Sequence, residues 1–178
     1  MVSKETMCRK MDLKLHNVVP YRPSEAEIQE EEEYLRLKFP PDYRQFLKEY
    51  NGGIPEICEF EGEHSARVYM VEFFLSMVKH EDYEKWGDYD IDVVCTQLDV
   101  RLTANEHLIG EEILPIAHIF AGDFVCLDFR EDGEHPSVCV WSHEESGEFD
   151  PVTYKIADSF TEFTVKMFFS GDFQRTFP

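Results

Sequence analysis

Asp123, Asp128, Asp132 and His143 are the residues whose types and spacing come nearest to a chemical constellation. Carboxylates beside an imidazole can move protons or hold a hard cation, and these four lie on or beside one expected hairpin. Each also has a simpler use. Asp123 and Asp132 stand next to Gly122 and Gly133 as turn residues, and Asp128 ends an apolar run where a short carboxylate satisfies backbone N–H groups. The turn and strand-end assignment is preferred, and a metal-assisted hydrolase built on Asp123, Asp128 and His143 is carried as a rival. His143-Glu144-Glu145 resembles the front of a zinc motif but lacks a second histidine at helical spacing. Cys126 sits in an apolar run that raises its thiol pKa, which argues against a nucleophile. Trp141 is expected in the core, with a partner for its indole N–H. No Gly-Lys-Ser/Thr loop, GxGxxG, GxSxG or HExxH occurs. No catalytic residue, cofactor or metal is therefore assigned.

The charge balance directs attention to binding instead. Seventeen Lys+Arg against 37 Asp+Glu give a formal net charge of -20. Affinity for phosphate backbones and for anionic membranes needs a basic patch, so direct nucleic-acid and membrane binding are disfavoured. A basic protein partner is favoured, because opposite fields steer encounter. The five cysteines are odd in number, widely spaced and without a CxxC pair, which suits a reducing compartment. No signal peptide and no 18-residue apolar span is read, so a cytoplasmic protein is expected.

The elements that must position any site follow from periodicity and punctuation. Residues 1–22 are expected to form an N-terminal arm, with a short element at Leu13–Val19 docking on a single domain of residues 23–178. Ser24 with Glu27 predicts a capping box, and Ile28 and Leu35 the buried side of the first helix; Glu30–Glu33 read as its solvated face. Pro41 starts a second helix, Tyr43, Phe46, Leu47 and Tyr50 form its buried stripe, and Asn51-Gly52-Gly53 stops it. Ile57–Phe60 and Arg67–Phe74 predict a strand pair, and residues 80–90 a polar loop with aromatic anchors. Ile91, Val94, Cys95, Leu98 and Leu102 keep helical spacing, with Leu108 and Ile109 closing that unit. Strands follow at Ile113–Ala117, Phe124–Phe129 and Val138–Trp141, then an acidic loop over Ser142–Pro151. Asp158 or Ser159 caps a last helix carrying Phe160, Phe163, Val165, Met167 and Phe168.

The order of these segments resembles the SUKH superfamily, which includes bacterial toxin-immunity proteins and fungal glucan-synthesis regulators. The residues that carry the resemblance run from Leu35-Arg36-Leu37-Lys38-Phe39-Pro40-Pro41-Asp42-Tyr43 through Phe46-Leu47 to Asn51-Gly52-Gly53. Further on come Leu114-Pro115-Ile116-Ala117, Gly122-Asp123, Leu127-Asp128, Val140-Trp141 with His143-Glu144, and Ile156-Ala157-Asp158-Ser159-Phe160 with Phe163, the last resembling the family's final helix. Phe39 with an extra proline replaces the usual leucine-proline pair, and Ser142 stands where an acid is common. The resemblance implies an α+β fold, a twisted and mainly antiparallel sheet flanked by helices. It also implies a non-enzymatic immunity protein that neutralises a basic toxin domain, such as a nuclease, in the cytosol. A regulatory scaffold like the fungal members is the alternative. Acidic and aromatic residues on irregular segments are the candidate partner contacts: Glu61, Glu63, Asp82, Trp86, Asp88, Tyr89, Glu144 and Glu145.

Overall fold

Local chemistry sets the first two helices of the computed structural model, which describes residues 13–62, 67–107 and 112–167. The Ser24 hydroxyl accepts from the Glu27 N–H at 3.3 Å and Glu27 accepts from the Ser24 N–H at 2.9 Å, opening α1 (Glu25–Leu35). Ile28 and Leu35 are buried on its inner side. One member of the acidic run departs from the solvated face expected for it. Glu32 accepts from the Phe39 N–H at 2.8 Å and pairs with Arg44, so it fastens α1 to the next helix. That helix, α2 (Pro41–Glu49), has proline at its start and buries Tyr43, Phe46 and Leu47, while Tyr50 is half-buried. Asn51, Gly52 and Gly53 then turn left-handed, with φ of 48°, 77° and 125°. A Cβ on Gly52 would stand 2.6 Å from the Leu75 carbonyl oxygen, so the backbone approach itself requires glycine there.

The main sheet is six-stranded, antiparallel and nearly closed on itself, in the order β3 (Glu59–Glu61), β4 (Val68–Phe74), β5 (Ile113–Ile119), β6 (Phe124–Asp128), β7 (Ser137–Trp141) and β8 (Thr153–Ala157). Sequence order equals spatial order, so the sheet is a meander. β6 lies in its middle with Phe124, Val125, Cys126 and Leu127 all buried, as its continuous apolar run predicts. A separate two-stranded sheet joins β1 (Leu15–His16) to β2 (Ile54–Pro55), and Val19 is buried beside it. Arg22 adds a hydrogen bond from its guanidinium to the Glu49 carbonyl at 3.1 Å.

Helix α5 (Phe160–Lys166) closes the core. Phe160 and Phe163 meet Phe46 of α2, Phe60 of β3 and Phe74 of β4 with ring centroids 5.1–6.4 Å apart. Asp42 of α2 accepts from both the N–H and hydroxyl of Thr161, at 2.8 and 2.9 Å. The fold is thus α+β, with helices against a mainly antiparallel sheet.

Three expectations need correction. Residues 80–90 are a chain of short helical turns: 3-10 turns at His80–Asp82 and Gly87–Tyr89 flank α3 (Tyr83–Trp86). Glu81, Asp82, Glu84, Lys85 and Asp88 face water while Asp90 is buried and the backbone closes its own turns. Ile156 and Ala157 belong to β8, not to the last helix, which starts after the cap made by the Ser159 side chain to the Glu162 N–H. β8 pairs with β7 alone, and its outward residues hide the alternation a sequence would show. Met167, expected within the last helix, is instead the extended residue that ends α5 after Lys166. Leu108, Ile109, Phe168, Cys8 and Glu63 lie outside the described residues.

Candidate functional site

Register, rather than any motif, builds the most distinctive surface feature. Phe73 of β4 pairs with His118 of β5, His118 with Phe124 of β6, and Phe124 with Trp141 of β7. Side chains at paired positions share a face, so four rings form a row across four strands. Phe73 stacks on His118 at 5.1 Å, and His118 meets Phe124 edge-on at 5.1 Å. The row extends at both ends. Tyr89 lies 4.7 Å from Phe73 and Trp86 lies 6.5 Å from Tyr89, while His143 stands 6.0 Å from Trp141.

The two ends differ in exposure. Phe124 and Trp141 are buried, with the Trp141 N–H donating to the Arg101 carbonyl at 3.0 Å and the Arg101 guanidinium over the indole. At the other end Phe73, Tyr89 and Trp86 are half-buried. His118 also reaches solvent there, with its Nδ1 at 2.7 Å from Glu72. Exposed Asp82, Glu84 and Asp88 rim that end, and Lys85 lies over the Trp86 ring at 4.5 Å.

Asp90 holds this end in place. Its buried carboxylate accepts from the Val78 and Val93 N–H groups at 2.8 and 3.0 Å, which caps α4 (Ile91–Leu98) and pins the chain after β4. Burial raises its pKa, against the lowering effect of those backbone donors. The Ser76 N–H donates to the Tyr89 carbonyl at 2.7 Å, so the helical turns are tied back to the strand end.

The proposed contacts therefore fall into groups. Asp82, Trp86, Asp88 and Tyr89 gather at the exposed end of the row. Glu144 and Glu145 stand beyond its far end, on the turn after β7 that also carries His143. Glu61 is exposed at the end of β3, on the hairpin whose Gly62 lines the same cleft as Glu144 and Glu145. Phe73, Glu72 and His118 went unnoticed in the sequence, because two strands supply them and only their pairing brings them together.

The rival hydrolase set is taken apart by the same sheet. Asp123 and Asp128 stand at opposite ends of β6, a strand's length of about 16 Å apart. Asp123 caps the turn after β7 by accepting from the His143 N–H at 2.8 Å. Asp128 is gripped by Arg130 through two hydrogen bonds of 2.9 and 2.6 Å and also accepts from the Arg130 N–H. Asp132 accepts from the Glu134 and His135 N–H groups, a turn of the kind read from its position. Among the described residues no cluster of three or more His, Cys, Asp or Glu has metal-holding geometry. Cys58, Cys95, Cys126 and Cys139 are all buried and free, and desolvation pushes the thiols of Cys126 and Cys139 up, away from nucleophilic use.

Half-buried rings with a charged rim suit recognition of a protein surface. No curated protein matches the chain. The pattern of one family, described as SMI1-KNR4 cell-wall, does match, over residues 25–164, from the capping box to the middle of α5. That span takes in all six strands of the main sheet, and the chain belongs to this family, SUKH_6 of the SUKH superfamily.

Proposed function

We propose that this chain is an immunity protein that binds and neutralises a cognate toxin domain in the cytosol, and that the toxin is basic, in the manner of a nuclease. The observation that carries this is the exposed end of the aromatic row, where Trp86, Tyr89 and Phe73 are set among Asp82, Asp88 and Glu72. Aromatic anchors supply the desolvated centre of an interface, and surrounding acids steer a basic partner to it. The net charge of -20 acts in the same direction over a longer range. Inhibition is by occlusion, and no bond is made or broken.

Co-expression with a toxin domain encoded beside this chain tests the proposal. Growth is rescued, and Trp86→Ala and Tyr89→Ala each weaken binding by roughly 10- to 100-fold in calorimetry while the fold is retained. A chain that neither binds nor rescues, or variants that bind as the parent does, would refute it. The family's cell-wall description favours a second, also non-enzymatic, role as a regulatory scaffold. A gene neighbourhood without a toxin supports that alternative.

A further inference from the structure

A second feature lies where Gly62 and Arg67, beside the ends of β3 and β4, meet the β5–β6 and β7–β8 connections at one end of the sheet. A cleft of about 470 Å³ opens there between β4 and β8, with Tyr69, Val140 and Ile156 among its apolar lining and Asp123, Glu144 and Glu145 supplying carboxylates. This is the mouth of a nearly closed sheet, a common seat for ligands, and its volume falls in the usual range of about 300–1,000 Å³.

The carboxylates are not equivalent. Asp123 is only 5% exposed, and its Oδ1 takes the His143 N–H. Its Oδ2 receives no hydrogen bond from any described residue, and the Arg67 guanidinium approaches it to only 3.8 Å. An acceptor oxygen with no donor at bonding distance gains from a charged donor at close range. Glu145 is held by the Tyr154 hydroxyl at 2.8 Å, whereas exposed Glu144 has no hydrogen bond or ion pair among the described residues. Lys155 also lines the cleft, but its ammonium pairs with Asp158 at 2.6 Å.

The chain itself shows which cation fits. Arg67 lays its guanidinium 4.9 Å from the centre of the Tyr69 ring while pointing at Asp123. A planar, weakly hydrated cation that can both stack and bond in a fork suits such a slot better than a compact ammonium. Among the described residues no cation pairs with Glu144, so the cleft has room and charge for a second guanidinium.

We propose that this cleft takes an arginine side chain presented by a basic partner protein, with the guanidinium bonded to Asp123 Oδ2 and Glu144. The inference rests on the proposed binding of a basic partner and locates an anchor for it. His143 donates its backbone N–H to Asp123 while its ring meets Trp141, so one residue links the cleft to the buried end of the aromatic row.

The test uses the chain alone, so its failure is separable from failure to bind a toxin. Nα-acetyl-arginine N-methylamide is titrated while backbone amide shifts are followed by NMR, with the citrulline analogue and spermidine as comparisons. Saturable shifts are expected at Tyr69, Val140 and Tyr154, and citrulline should bind at least roughly tenfold more weakly. Asp123→Asn keeps the acceptor for the His143 N–H, and Glu144→Gln alters only an exposed side chain. Each should weaken the arginine probe by about threefold or more. Absence of shifts in the cleft, equal binding of citrulline, tighter binding of spermidine, or unchanged affinity in both variants would overturn the assignment. Probe binding together with no toxin binding would uphold the cleft and count against the immunity role.

Discussion

Replacing Asn51 by alanine is expected to be among the most damaging single changes outside the aromatic core. Asn51 is fully buried, and its side chain makes three hydrogen bonds: Nδ2 donates to the Met77 carbonyl at 2.9 Å and the Tyr21 carbonyl at 3.1 Å, and Oδ1 accepts from the Met77 N–H at 2.8 Å. Truncation orphans both backbone groups of Met77, at roughly 1–3 kcal/mol each, while the partly buried Tyr21 carbonyl regains some hydration. The φ of 48° that asparagine tolerates adds about 1 kcal/mol for alanine. A loss of about 4 kcal/mol follows, a large share of the roughly 5–15 kcal/mol that holds a domain together. Urea unfolding followed by the fluorescence of buried Trp141 measures it. With a slope of about 2 kcal/mol/M, the midpoint should fall by about 2 M. Asn51→Gly separates the two causes, since it relieves the backbone but restores no hydrogen bond. It should recover only about 1 kcal/mol. A midpoint shift below about 0.5 M for the alanine variant, or full recovery by glycine, would refute the account of Asn51 as a hub.

Two further outcomes follow from the same geometry. Gly52→Ala should destabilise the fold by more than about 2 kcal/mol in the same urea assay, because its Cβ would meet the Phe74 and Leu75 carbonyl oxygens at 2.7 and 2.6 Å and the φ of 77° would be strained as well. Glu27 has its carboxyl held at about 2, through the Tyr21 hydroxyl first and then Ser24, against an ordinary 4.5. Its contribution to stability is therefore complete above pH 4.5 and is lost as the pH falls toward 2, so Glu27→Gln should flatten the pH dependence of the urea midpoint in that window.

How much of this was legible beforehand depended on the range of the forces involved. The capping box of Ser24 and Glu27, the proline start of α2 and the buried run of β6 are each decided within a few residues, and each stands where the pattern put it. β8 escaped notice because Thr153, Tyr154 and Lys155 pair with β7 on one side only and leave their side chains toward water. The segment at 80–90 read as a loop for a related reason. Its short helical turns are held by Asp90 and by the Ser76 N–H rather than by an apolar face of their own.

The sequence by itself determined the capped first helix, the proline start of the second, the apolar run of β6 and a net charge of -20, because composition, periodicity and turn chemistry act locally. The antiparallel fold was implied only by the resemblance of segment order to a known family. Asn51-Gly52-Gly53 was readable as a helix stop on those terms. That Asn51 also clamps Met77 to Tyr21, residues 26 and 30 positions away, was decided only by tertiary structure. Strand register decided the rest. It placed Phe73, His118, Phe124 and Trp141 side by side, and brought β4 and β8 to the two sides of one acidic cleft. Such pairings depend on the whole sheet closing around its core, and no short stretch of chain carries that information.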